Sequence, residues 1–222
     1  MPGTSNGLID TATQDNKRPP CQNLYGVMVG VVVNNVDATG MSRVQVRFPW
    51  LPEIEPWARV AVLMSGPTHG TYFIPQIDDE VLVSFNQGDI TDAYIIGSLW
   101  NGRDRPPTPI PTDAIFKRMI RTPAGHEIIF DDLTQSITIS SSTKQEISID
   151  PKQIKISTAG DTASVTLDQT GNITISAALN LTLEAGNSIS IKGGTVEIDS
   201  VSETKVSSVA KCTVKAAKVF IN

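Results

Sequence analysis

Aromatic side chains are scarce in this 222-residue sequence, at 5%, and cysteine and histidine occur only twice each. Cys21 and Cys212 lie far apart, as do His69 and His126, so the clustered spacing of a zinc site is absent and no disulfide framework is expected. Both histidines are read as structural or surface residues, and no metal or other cofactor is expected. Positive charge is also short. Against 23 Asp and Glu stand 18 Lys and Arg, for a net charge of −5, which argues against nucleic acid as the main partner, because phosphate binding relies on clustered Lys and Arg. No apolar run reaches the roughly 18 residues of a membrane-spanning helix, and the first twenty residues lack the apolar centre of a signal peptide, so synthesis in the cytoplasm is expected. There is no Gly-rich phosphate loop, no serine elbow and no Cys and His constellation suited to nucleophilic catalysis. Glu127, Asp131 and Asp132 come nearest to a carboxylate pair for glycoside hydrolysis, and for these a turn role is the expectation.

What the sequence has in quantity is alternation. From His126 onward, apolar-polar-apolar units return with little between them: Ile137-Thr138-Ile139, Ile147-Ser148-Ile149, Ile154-Lys155-Ile156, Val165-Thr166-Leu167, Ile173-Thr174-Ile175, Leu181-Thr182-Leu183, Ile189-Ser190-Ile191 and Val196-Glu197-Ile198. The second apolar position steps through Ile175, Leu183, Ile191, Ile198, Val206, Val214 and Ile221, a period of about eight that predicts stacked β-structure with these residues as its core. Such a face has no second element in the chain to cover it. A lone ladder would leave two unpaired edges, whereas three chains around one axis pair every edge and share one core.

The earlier part of the chain reads differently. Residues 1–22 are polar and aperiodic and are expected to form a flexible arm. Residues 23–104 hold short β-rich segments, at Tyr25–Val33, Arg43–Phe48, Ala58–Leu63, Tyr72–Ile74, Val81–Phe85 and Tyr94–Leu99, separated by Asn, Asp, Gly and Pro. Five or six strands in about 80 residues without a helical pattern suit a small closed barrel such as the five-stranded OB-fold. In Arg43–Phe48, Val44, Val46 and Phe48 alternate inward and Arg43, Gln45 and Arg47 outward. Asp37-Ala38-Thr39-Gly40 is a tight turn with Gly40 at positive φ. Trp50 and Trp57 offer apolar area to close one end of the barrel. Residues 105–123, with prolines at 106, 107, 109 and 111, are read as a stiff connector, and residues 124–222 as the stem.

The runs Gly30–Leu51, Pro56–Asp89 and Tyr94–Pro107 closely resemble the OB-fold domain of contractile-tail spikes: the VgrG proteins of type VI secretion, the phage baseplate assembly protein V family and the spikes of extracellular contractile injection systems. The signature positions are Gly40, Arg43, Arg47, Phe48, Pro49, Trp50, Trp57, Arg59, Gly70, Pro75, Asp79, Glu80 and Gly97. Arg121–Asp132 resembles the opening of the β-helical stem of the same proteins. The resemblance implies an all-β protein, an OB-fold barrel followed by a trimeric, intertwined β-helical stem, acting without enzymatic activity as the needle of a baseplate. It further implies assembly into a virion or injection particle, a separate hub protein, and delivery to the target envelope on contraction. No histidine follows His126, so the iron-binding tip of some phage spikes is not expected. Instead Lys218, Val219, Phe220, Ile221 and Asn222 are read as a platform for a tip protein of the PAAR-repeat type, the alternative being a plug for the end of the stem. Two other classes stay open at this level. Arg43, Arg47 and Arg59 with Trp50 and Trp57 would serve an OB-fold module binding single-stranded nucleic acid or glycan, and an envelope-degrading tail enzyme is the third.

Overall fold

The barrel strands are laid out by alternation and turn chemistry. The computed structural model describes residues 24–220, and the chain divides into two units, the first ending at Arg121 and the second starting at Thr122. The expected arm at 1–22, with Cys21, and the positions Ile221 and Asn222 lie outside the described residues.

In the first unit, β1 (Val27–Asn34), β2 (Val44–Arg47) and β3 (Trp57–Val60) are followed by a two-rung hairpin of β4 (Ser65–Gly66) and β5 (His69–Gly70), then β6 (Glu80–Asn86) and β7 (Asp89–Ser98). The barrel closes in the order β1-β2-β3-β7-β6, with β6 returning to β1. All its pairings are antiparallel except β3 with β7, which run parallel through Arg59–Tyr94 and Val60–Ile95. Closure removes the sheet edges. Val32, Val44, Val46, Phe48, Ala58, Val81, Val83, Phe85, Ala93 and Ile95 fill the interior, each at most 7% exposed.

Four sequence readings need correction here. Trp50 is 46% exposed, and Trp57 is only partly buried. The rings inside the barrel are Phe48 and Phe85, 5.6 Å apart, because they sit at inward positions of the alternation, whereas Trp50 lies past the end of β2 and leans on Phe48 from outside at 5.5 Å. Tyr72–Ile74 is not a strand. Thr68 takes φ 62° and the amide of Thr71 donates to the carbonyl of Met64, so the chain closes the β4–β5 hairpin there, leaving only Ile74 against the core. The strand read as Tyr94–Leu99 begins at Asp89, its polar first half paired to β6, and the one read as Ala58–Leu63 ends at Val60.

Within 105–123 a single helical turn, α1 (Asp113–Phe116), leads into β8 (Lys117–Arg121). Lys117 pairs with Asp113 at 3.2 Å, and Thr108 donates to the same carboxylate. Next come β9 (Glu127–Asp131), β10 (Ser136–Ser140), β11 (Glu146–Ile149), β12 (Gln153–Ser157), one 3-10 turn (Ala159–Asp161), β13 (Ala163–Asp168) and β14 (Ile173–Ala177). They form an antiparallel meander in sequence order, β14 at one edge and β8 at the other. The alternating units as far as Ile175 are therefore hairpin-connected strands within one chain. The turns of three to five residues between them, residues 132–135 for example, are long enough to reverse the chain.

Past Ala177 the described residues contain no strand. The units at 181–183, 189–191 and 196–198 were expected to be strands. A β-strand exists only through a hydrogen-bonded neighbour, and one copy of this segment offers itself none.

Candidate functional site

The second sheet is organised by its ladder. Directly opposed residues share a face, so the register assembles two unbroken apolar rows. One runs Phe130, Ile137, Ile149, Ile154, Leu167, Ile173 and the other Ile128, Ile139, Ile147, Ile156, Val165, Ile175. The opposite face carries the row Ile129, Thr138, Ser148, Lys155, Thr166, Thr174. None of the apolar residues is buried, and exposures reach 67% at Ile173. This is a single layer whose apolar side has no cover in its own unit, and an apolar face of this extent marks an association surface.

Turn chemistry holds the register. Asp131 Oδ1 accepts from the amides of Leu133 and Thr134 at 3.0 and 3.1 Å, and Asp150 Oδ1 from those of Lys152 and Gln153 at 2.7 and 3.1 Å. Asp168 gathers the Thr170 hydroxyl and amide and the amide and side chain of Asn172, within 2.7–2.9 Å. These donors, the Thr170 hydroxyl foremost, hold the Asp168 carboxyl well below the usual carboxylate range. His126 sits in the Thr122–His126 turn, its amide bonded to the Thr122 hydroxyl at 3.1 Å and its Nδ1 facing the amide of Ser142 at 3.3 Å. Glu127 and Asp131 stand four residues apart on β9, about 13 Å along a strand, beyond the roughly 5–9.5 Å between the carboxyls of glycoside hydrolases. Asp131 has its turn role.

On the barrel, the signature residues divide into core, turn and outer face. Asp37 is the centre of one cluster. Its carboxylate accepts from the amide and hydroxyl of Thr39, from the amide of Arg43 and from Arg43 Nε and Nη2, at 2.7–3.2 Å. The Arg43 guanidinium is the main cause of its depressed pKa and is itself pushed up in return. Gly40 takes φ 74° and donates its amide to the Asp37 carbonyl, a backbone conformation that favours glycine. Arg43 also lies over the Trp57 ring at 5.7 Å. Arg59 stacks on Tyr94 at 4.4 Å and reaches Asp92 at 3.3 Å. Arg47 lies outward and exposed on β2. Two of the three arginines proposed for an oligonucleotide face are thus engaged by carboxylates and rings of their own barrel. Phe48 is fully buried, with Pro49 following at the end of the strand.

The Pro75 carbonyl accepts from Asn35 at 3.2 Å, Asp79 accepts from the Gln76 amide at 2.7 Å, and Glu80 from Asn101 at 3.2 Å. Gly70 lies in the β4–β5 hairpin and Gly97 opposite Leu82. Gly30 was not singled out from the sequence. A Cβ there would stand 2.4 Å from Val46 Cγ1 and 3.2 Å from Phe48, so β1 approaches the core only because residue 30 lacks a side chain. Its place in the inward alternation with Val32 was the available signal.

The stem positions Ile175, Leu183, Ile191, Ile198, Val206 and Val214 are 51–75% exposed, and Val219 and Phe220 of the read platform are 54% and 86% exposed, beside exposed Lys218. The described residues contain no group of three or more His, Cys, Asp or Glu placed to hold a metal, and no helix long and apolar enough to cross a membrane.

Residues 28–100 match the type VI secretion system/phage-baseplate injector OB domain, and residues 117–179 match the phage baseplate V C-terminal trimerisation domain. The chain belongs to this phage baseplate V family. Among curated relatives, the type VI secretion system spike protein VgrG2a of Pseudomonas aeruginosa is 28% identical over 121 residues, covering 50% of this chain and 14% of the relative. VgrG3 of Vibrio cholerae, a spike protein of the same system, is 28% identical over 49% of this chain and 12% of its own. The actin cross-linking toxin VgrG1 of Vibrio cholerae is 27% identical over 52% of this chain and 11% of its own. This chain thus matches a small fraction of the length of these relatives.

Proposed function

We infer that the protein is the central spike of a contractile tail or injection baseplate, a homotrimer without enzymatic activity that links a hub protein to a tip protein and pierces the target envelope. The observation that carries this reading is the pair of uncovered apolar rows in the segment that matches the family's trimerisation domain. Three copies would turn those rows toward one axis and bury them, each side chain gaining on the order of 1 kcal/mol beyond its present partial burial. The segment from Leu181 to Val214 would then find its missing hydrogen-bond partners in the other two chains, with Leu183, Ile191, Ile198, Val206 and Val214 inside. A shaft in which every strand is paired resists bending and local unfolding, and so transmits the force of sheath contraction to its end. The platform at Lys218–Asn222 would seat a PAAR-type tip, and the barrel outer face would meet the hub. Delivery to the envelope follows from this role, since the chain would travel with the tube.

Purified particles test the reading. Three copies of the chain per particle and central density at the leading end are expected, and particles that assemble and contract without the chain would overturn it. Loss of tip-protein capture on deleting Val219–Asn222 supports the platform, and unchanged capture assigns those residues to an end plug.

A further inference from the structure

The sign of charge reverses along the stem. Residues 178–203 carry Glu184, Glu197, Asp199 and Glu203 against Lys192, while residues 204–220 carry Lys205, Lys211, Lys215 and Lys218 and no Asp or Glu. With a net charge of −5 for the whole chain, this short stretch contributes +4 and the remainder −9. All four lysines are exposed. Were the segment paired as strands in a trimer, alternation would put Val206 and Val214 on one side and Lys205 and Lys215 on the other, one residue along, with Lys211 at even spacing from Lys215. A triplicated chain would carry three such strips side by side.

We propose that Lys205, Lys211 and Lys215 form a cationic band that binds a phosphate-rich lipid surface. The inference rests on the spike reading for the lipid surface as partner, and on the charge pattern for the site. Lysines are compact point charges suited to phosphates spread over a surface, each adding attraction to an anionic leaflet. The residues between them are Val, Ser, Ala, Thr and Cys, and the exposed methyls of Val209, at even spacing from Lys205 and Lys211, suit the headgroup boundary. Nucleic acid fits less well. The stretch 204–218 has no arginine fork to read a base and no aromatic ring to stack on one. Lys218, part of the read platform, is left out of the band so that the two surfaces can be tested apart.

The test is co-sedimentation of the full chain with vesicles of phosphatidylcholine, with and without phosphatidylglycerol, at about 0.05 M and about 0.3 M salt, across which screening of exposed charge rises steeply. Binding to the anionic vesicles, at least tenfold weaker at the higher salt, is expected. The triple variant Lys205→Gln, Lys211→Gln, Lys215→Gln should bind at least tenfold more weakly, and a charge-matched control, Lys144→Gln, Lys152→Gln, Lys192→Gln, within twofold of the parent chain. Equal loss in both variants, equal binding to uncharged vesicles, or binding of soluble inorganic polyphosphate without binding of vesicles would overturn the proposal. The mass of each variant is measured alongside. Should the Gln variant change its oligomeric mass, the triple Lys→Arg variant must keep vesicle binding, and its failure to do so overturns the band. A parent trimer that ignores anionic vesicles removes the band and leaves the spike, whereas a parent monomer removes the spike.

Discussion

The barrel and the second sheet are written in the same alternating code and solve opposite problems. In the barrel, Val44, Val46 and Phe48 point inward and are fully buried, because five strands close on themselves within one chain. In the sheet, Ile137 and Ile139 alternate just as regularly and remain 37% and 44% exposed. The difference is topological. A β3–β7 parallel pairing lets the barrel strands return to β1, whereas a meander of short hairpins runs open from edge to edge. Alternation states which side of a strand is apolar, and closure decides whether the chain can cover that side alone. Stability of the barrel should therefore be a property of one chain, and stability of the sheet a property of concentration.

The largest effect should come from charging the apolar rows. Ile147→Asp with Ile156→Asp places carboxylates opposite one another in the ladder. Complete loss of the oligomer is expected by mass measurement, with the barrel still melting cooperatively. Retention of the oligomer would show that these rows face solvent.

Phe48→Ala comes next, removing a fully buried ring at a cost of about 3–5 kcal/mol to the barrel, read from denaturant unfolding at concentrations where the oligomer is intact. Gly30→Ala follows. Its new Cβ would meet Val46 at 2.4 Å, and overpacking of this kind costs about 1–3 kcal/mol. An unchanged midpoint would mean that β1 can move away from the core.

The smallest effect is at Asp37. Its folded pKa is depressed by Arg43 and Thr39, so its contribution is fully present above the ordinary carboxylate value of about 4 and is lost as pH falls through the folded value. Asp37→Asn should lower the melting temperature of the barrel at neutral pH by less than Gly30→Ala does, and the gap to the parent chain should narrow below about pH 4. A gap that widens on acidification would refute the role given to the Asp37–Arg43 pair.

How much of this was legible in the sequence depended on whether the partner of each residue lay nearby in the chain. Val44, Val46 and Phe48 were readable as inward because alternation is local, and the Asp37–Gly40 turn because its chemistry is contained in four residues. The place of Trp50 outside the barrel was not, since it depends on where β2 ends. The polar start of β7 was hidden because Asp89, Thr91 and Asp92 read as turn residues, yet Asp92 receives Arg59 and Asn86 at the barrel surface. Gly30 was missed because a close approach is set by what crosses it, here Val46 and Phe48 from β2. In the second unit, the strands up to Ile175 were visible as apolar-polar-apolar units, but not their hairpin connection. Beyond Ala177 the same units continue without a neighbour in the chain. There the pattern alone does not make strands, because one copy of the segment offers itself no hydrogen-bonded neighbour.

The central claim is that the apolar rows from Ile128 to Ile175 are an interface among three identical chains. Measuring the mass of the full chain in solution at micromolar concentration tests it most directly. The account predicts one species at three times the 23.8 kDa chain mass. A stable monomer that keeps the β-sheet spectrum of the second unit would contradict it.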